Sequence, residues 1–227
     1  MFPAFSKVVT LENLFILLKG ALLSLGLAAG SLLIGLAIAI LIALLRFSTK
    51  KICHIIANIY VEFFRGTPML VQIMYLFTVV PIIISLFVGH RVRINPVIVG
   101  LIALSLNSGA YQAEYIRGGI NGVDKGQKEA CETLGLSRTD MMRFVILPQA
   151  FRLAIPSMVG EFVTLIKDSS LLMTIGALEL FGQANKIGNI YYDYMTPETI
   201  SIFYYLIMTL TISYFARKLE KRLARSV

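Results

Sequence analysis

The chain has 227 residues, 57% of them hydrophobic and 15% charged, with a mean hydropathy of +0.77. A soluble domain carries about 25% charge, so these proportions argue against a water-soluble fold and for a helical membrane protein; the apolar runs are continuous rather than alternating, which argues against an outer-membrane barrel. The net charge of +8 and pI near 9.6 are expected to mark cytoplasmic loops and not a nucleic-acid face, because the basic residues are dispersed.

The opening residues do not have the pattern of a signal peptide: the apolar run that follows is too long for an h-region and lacks a cleavage site. A first span is expected within residues 14–45, longer than the roughly 20 residues a bilayer needs. Gly26 and Gly30 in it form a small-xxx-small pair, which serves close helix approach or simply reflects glycine enrichment in membrane helices. Arg46, Lys50 and Lys51 make a basic hinge, expected on the cytoplasmic side. A second span covers about 52–88 and is interrupted by Glu62-Phe63-Phe64-Arg65-Gly66-Thr67-Pro68. A linker at 89–96 leads to a third span at about 96–118, then to a polar loop at about 119–143. A fourth span starts between Phe144 and Ile155 and reaches at least Ile166. Residues 171–194, with Gly176, Gly182 and Gly188, suit a short partly buried helix and a loop; a last span at about 197–215 precedes a basic tail at 217–225.

The expected fold is therefore all-α, a single transmembrane domain over residues 1–227 with about five spans. Basic residues in the hinge, polar loop and tail place the N-terminus outside and the C-terminus in the cytoplasm. Glu179, Asp193 and Glu198 fall on the outer side against Lys186, while Arg91 and Arg93 run against the rule. Five helices are few for a translocation path, so a dimer is expected. Cys53 and Cys131 form no CxxC and have no His cluster beside them, which supports neither a metal site nor a disulfide framework.

The polar loop has an anatomy of its own. Asp124 suits the cap of a short helix through Lys128–Cys131, Gly135 suits its end, and Ser137-x-x-Asp140 reads as a capping box for a second helix. Pro148 then punctuates re-entry into the membrane. More than twenty internally capped residues exceed what a plain connection requires. Two short helices lying across the membrane surface are expected.

Four features inside the spans carry chemistry. Glu161 stands in an otherwise apolar stretch, at a cost of about 2.5–3.5 kcal/mol by insertion scales, so it faces the bundle interior or a cavity, as a solute group or with a structural partner. The Arg65-Gly66-Thr67-Pro68 break exposes backbone at membrane depth, suited to a solute site or to a kink that shapes packing. Asn107, Tyr111 and Glu114 share one helix face; Asn107 is a site group or a helix–helix hydrogen bonder, and Glu114 pairs locally with Arg117. Lys167 and Asp168 end the fourth span or lie deeper, at a gate.

A family resemblance rests on three strings. Glu129-Ala130-Cys131, Gly135 and Ile146-Leu147-Pro148 resemble the Glu-Ala-Ala…Gly…Ile-x-Leu-Pro signature of binding-protein-dependent importer permeases, with cysteine for the second alanine and the isoleucine one residue nearer. Glu62–Pro68 resembles a string of the polar amino-acid branch, and Lys167-Asp168-Ser169-Ser170-Leu171 is similar to that branch's Lys-Asp-Thr-Ser-Leu, with Ser169 replacing threonine. They occur in the expected order across about residues 15–220.

The resemblance implies a type I ATP-binding-cassette (ABC) importer permease in a bacterial inner membrane, a transport subunit and not an enzyme. Its partners would be an ABC ATPase dimer, a second permease subunit (identical or similar), an extracytoplasmic solute-binding protein, membrane lipid and an amino-acid substrate. Glu129, Ala130, Cys131 and Gly135 would couple to the ATPase. The chain has no GxxxxGK[ST], so no cofactor is expected in it, and ATP-Mg would sit in the partner. Substrate-binding candidates are Glu161, Asn107, Arg65, Thr67, Tyr111 and Asp168. Glutamate at 161 implies a basic amino acid such as arginine, lysine or histidine. Glutamine, an opine or another polar amino acid is the alternative within transport; a non-transporting scaffold or sensor is the alternative outside it.

Overall fold

From residue 11 onward the backbone is a succession of helices joined by short turns, and no strand occurs among the described residues. The computed structural model describes residues 7–224, with side chains through Lys218. The opening residues 1–6, the tail side chains from 219 and Arg225 lie outside the described residues.

The first helix, α1 (Leu11–Phe47), begins where the Thr10 hydroxyl accepts from the Asn13 amide at 3.2 Å. Its 37 residues extend about 55 Å at 1.5 Å per residue. After the hinge come α2 (Lys51–Gly66) and α3 (Met69–Val88), separated by Thr67 and Pro68. α4 (Pro96–Gly122) starts on Pro96, which lacks the amide a first turn cannot use, with Asn95 accepting from Val97 N at 2.8 Å. α4 is the spine: 61% of its apolar window is buried, against 11–33% in the other long apolar helices.

Contacts along α4 fix the topology. Ala28 and Leu27 of α1 cluster with Val99 and Ala103, whereas Ala39 and Ile42 cluster with Ala113 and Ile116, so α1 and α4 run parallel. Val61 and Ala57 pack at the Ala113–Ile116 level and Ile73 at the Val99–Leu104 level. Helices α2 and α3 are thus one interrupted pass, antiparallel to α4. The broken second span expected from Gly-Thr-Pro is present.

The polar loop follows α4. Asp124 accepts from Gly126 N at 2.7 Å and opens α5 (Lys125–Thr133). Gly135 closes it at φ +69, with its amide on Glu132 O and the Leu136 amide on Cys131 O. Ser137 caps Asp140 N at 3.1 Å, but the second helix differs from expectation. Only Arg138–Asp140 (α6) is α-helical; the chain then widens into a π turn (Met141–Ile146) that runs directly into α7 (Leu147–Asp168). Pro148 is therefore a first-turn residue of a continuous helix and no break. Buried Ile146, Ala150 and Val123 hold the π turn against the end of α4, and this packing overrides the independent helix that the capping box suggests.

α7 returns antiparallel to α4, a 3-10 segment follows (Ser169–Ile175), and α8 (Leu180–Tyr191) packs near the start of α1. α9 (Met195–Ala224) runs parallel to α1, with Tyr204 donating to Leu14 O at 3.2 Å. Ahead of α9, Thr196 donates to Asp193 through Oγ1 (2.7 Å) and N (3.2 Å), and these bonds hold the Asp193 carboxyl below its ordinary range. Among the described residues, four helices are long and apolar enough to cross a membrane: α1, α3, α4 and α9. α7 has the length but carries Arg152, Glu161, Lys167 and Asp168, so the expected five spans comprise these four and one polar pass.

Lipid supplies no hydrophobic force between spans, so close packing and interhelical hydrogen bonds hold them. A Cβ on Gly119 would collide with Ala150 O, which lets α7 touch α4. The Gly26–Gly30 pair does less: Gly26 faces open space and Gly30 meets only the Leu101 side chain, whereas α1 comes closest to α4 at Gly35, against Gly109 and Gln112, and to the start of α8 at Gly20, against Leu180.

Candidate functional site

α4 presents polar groups on two faces, and each face serves a different neighbour. Asn107, Tyr111 and Glu114 turn toward α2 and α3; Ser108, Gln112 and Tyr115 turn toward α1 and α7.

On the first face, the interruption at Thr67-Pro68 frees carbonyls that water would satisfy outside a membrane. Here Gln72 satisfies them: its Nε2 donates to Phe64 O (2.9 Å), Thr67 O (3.0 Å) and Thr67 Oγ1 (2.8 Å). Asn107 Nδ2 donates to Phe64 O (3.1 Å) and to Gln72 Oε1 (3.0 Å). Thr67 and Asn107 are thus joined through Gln72, which the sequence reading did not single out. A lone amide in the apolar run Met69–Met74 was the available signal.

One turn further along α4, Arg65 lies 5.4 Å from the Tyr111 ring centroid and 3.7 Å from Glu114. Arg117 Nη2 reaches Glu114 at 2.6 Å, and Arg46 of α1 reaches its other oxygen. The local Glu114–Arg117 pair is therefore part of a larger cluster in which three arginines from α1, α2 and α4 share one carboxylate.

On the second face, Glu161 of α7 is 5% exposed. Tyr115 donates to its Oε2 at 3.1 Å. Gln112, fully buried, donates to Leu32 O and Ser108 Oγ at 3.0 Å each, leaving its own Oε1 without a partner. No cation pairs with Glu161 among the described residues. Asp168 stands half-buried, seven residues beyond Glu161 on the same face of α7, about 10 Å along the axis. Six substrate candidates thus divide into a break group (Thr67, Asn107), an arginine–tyrosine group (Arg65, Tyr111) and an acidic stripe on α7 (Glu161, Asp168).

The loop presents a second candidate surface. Glu129, Ala130 and Gly135 are exposed, Cys131 is buried under α5, and Leu134 stands 78% exposed at the helix end. An uncovered leucine beside small and charged residues suits a protein partner.

Residues 19–225 match the model for "Binding-protein-dependent transport system inner membrane component". The chain belongs to this family. Arginine transport system permease protein ArtQ of Bacillus subtilis is 34% identical over 94% of this chain and 95% of its own length. Glutamine transport system permease protein GlnP of Escherichia coli K12 is 35% identical over 92% and 93%. A crystal structure of an amino acid ABC transporter with histidines superposes at TM-score 0.89, with 34% identity over 98% of this chain and all of the other. The permease is thus an inner-membrane subunit of a polar amino-acid ABC importer, with the type I permease fold.

Proposed function

We propose that the permease carries basic amino acids, with Glu161 receiving the cationic side chain. The observation that supports this is a buried carboxylate inside the bundle with one hydroxyl donor, Tyr115, and no cation paired to it among the described residues. An ammonium or guanidinium arriving there gains a charge-assisted hydrogen bond in a low-dielectric surround. The Arg65–Tyr111 pair then suits the α-carboxylate, Thr67 and Asn107 suit it only if they exchange their present partners Phe63 O, Phe64 O and Gln72 for it, and Asp168 suits the gate at the far end of the acidic stripe. No covalent chemistry is required of any of these groups.

The rest of the machine is inferred on the same footing. The N-terminus faces outward and the C-terminus the cytoplasm. Residues 1–227 act as one transmembrane unit, paired with a second permease copy or homologue. Glu129, Ala130, Cys131 and Gly135 meet an ATPase dimer that holds the ATP-Mg, and a solute-binding protein delivers the amino acid. ATP binding and hydrolysis alternate the cavity between its two openings. Glutamine is the second reading, favoured by the name of the Escherichia coli relative.

The test is ATP hydrolysis by the complete importer in liposomes, with its binding protein and a panel of amino acids. Arginine, lysine or histidine stimulates hydrolysis and accumulates inside. Stimulation by glutamine alone replaces this substrate assignment with the second reading.

A further inference from the structure

At the end of the bundle opposite the polar loop, α3 and the linker to α4 enclose a groove of about 890 Å3, within the roughly 300–1,000 Å3 of small-molecule sites. One wall is apolar: Ile82 and Leu86 of α3, 61% and 79% exposed. The other holds Arg91 and Arg93.

The sequence places both arginines on the same side. Residues 91–95 have no regular secondary structure, and exposure alternates along them. Val92 and Ile94 are half-buried, and Ile94 packs on the main core; Arg91 and Arg93 are exposed. Ser85 fixes the register, because its hydroxyl accepts from Val92 N at 2.8 Å and donates to Pro81 O at 2.6 Å. Neither arginine forms an ion pair among the described residues, and no carboxylate lines the groove. With the N-terminus outside, as the hinge and loop charges lead one to expect, both arginines run against the positive-inside distribution.

We propose that this groove binds a membrane phospholipid with an anionic headgroup, its phosphate between Arg91 and Arg93 and an acyl chain along Ile82 and Leu86. The three observations converge. The groove sits where a spanning helix ends, hence at headgroup level; its charge is positive and unpaired; and its apolar wall continues down the lipid-facing side of α3. A free phosphate uses the arginines but not the apolar wall, and an acidic protein partner leaves Ile82 and Leu86 uncovered. The site is independent of the substrate assignment.

Native mass spectrometry of the intact importer, purified through a tag on this chain and titrated with phosphatidylglycerol, tests it. A basic residue near an anionic lipid is worth about fivefold in affinity. R91Q and R93Q should therefore each weaken retention about fivefold, and the double variant on the order of twentyfold. L86E, which leaves both arginines in place, should weaken it as well. Diacylglycerol should not be retained, and millimolar inorganic phosphate should not compete. ATP hydrolysis in detergent reports that each variant is assembled. Equal retention by the double variant and the parent overturns the proposal as ordinary annular lipid. So does competition by inorganic phosphate, or a double variant that loses only binding-protein affinity while keeping its lipid.

Discussion

Two carboxylates, Glu161 and Glu179, are buried in this greasy chain, and they differ in what surrounds them. Glu179 is enclosed and saturated: Ser24 (3.1 Å), Tyr205 (2.8 Å) and the amides of Phe181 (3.1 Å) and Gly182 (2.7 Å) all donate to it. It caps α8 and stitches α1, α8 and α9 together, which makes it a structural group. Glu161 accepts from Tyr115 and keeps capacity for a cation. Burial alone does not distinguish a rivet from a binding group; the count of satisfied lone pairs does.

That contrast can be broken by substitution. The largest effect is expected from Glu179→Ala, which strands four donors at once. Unsatisfied buried donors cost about 1–3 kcal/mol each, so the protein should melt well below the parent in detergent and lose expression. Uptake should fall only as the amount of folded protein falls. Glu161→Gln should do the reverse. The loss of one charge-assisted hydrogen bond, about 1.5–3 kcal/mol, lowers arginine uptake about 10- to 100-fold at limiting solute, while the melting temperature and basal ATP hydrolysis hold. If Glu161→Gln melts like Glu179→Ala, the distinction fails.

The break in the second pass sharpens it further. Gln72→Ala removes three donations to the freed Phe64 and Thr67 groups, and should cost about 2 kcal/mol of stability; Gln72→Glu keeps the shape but loses the donors and should not rescue. Gly135→Ala places a Cβ at φ +69, at about 1 kcal/mol, so the loop should loosen and ATP-coupled uptake should fall more than binding of solute. The smallest effect belongs to Asp193. Its lowered carboxyl contributes stability that is present above the ordinary aspartate range and is lost as pH falls through the lowered value. Asp193→Asn should remove that part of the pH dependence of melting between about pH 5 and 3.

Several of these features are legible in the sequence, for local reasons. Hydropathy locates α1, α3, α4 and α9, and Gly66-Thr67-Pro68 announces the interruption, because chain-breaking residues act on their own backbone. Asp124, Gly135 and Ser137 mark the loop's turns for the same reason. What escapes is what depends on distant partners. Glu179 counts in sequence as an outer-side charge, yet it is 0% exposed, because Ser24 and Tyr205 come from elsewhere in the chain. Arg46 and Glu114 lie 68 residues apart, and no spacing rule joins them. Ser108, Gln112 and Tyr115 sit on a helix whose other face drew attention first. The π turn escapes because the packing of Ile146 and Ala150 decides it.

That π turn makes the loop and the Glu161 helix a single rod. The backbone is helical throughout from Arg138 to Asp168, so a push delivered at α6 would travel along the same backbone that carries Glu161, about 21 Å past the start of α7. The rod has soft points at its prolines: Pro148 at the π junction and Pro156, five residues before Glu161, each lack the amide for a rung of the hydrogen-bond ladder. A stroke at the loop end would then emerge at the carboxylate as a change of angle more than of height, turning Glu161 toward or away from Tyr115 like a key on a bent shaft.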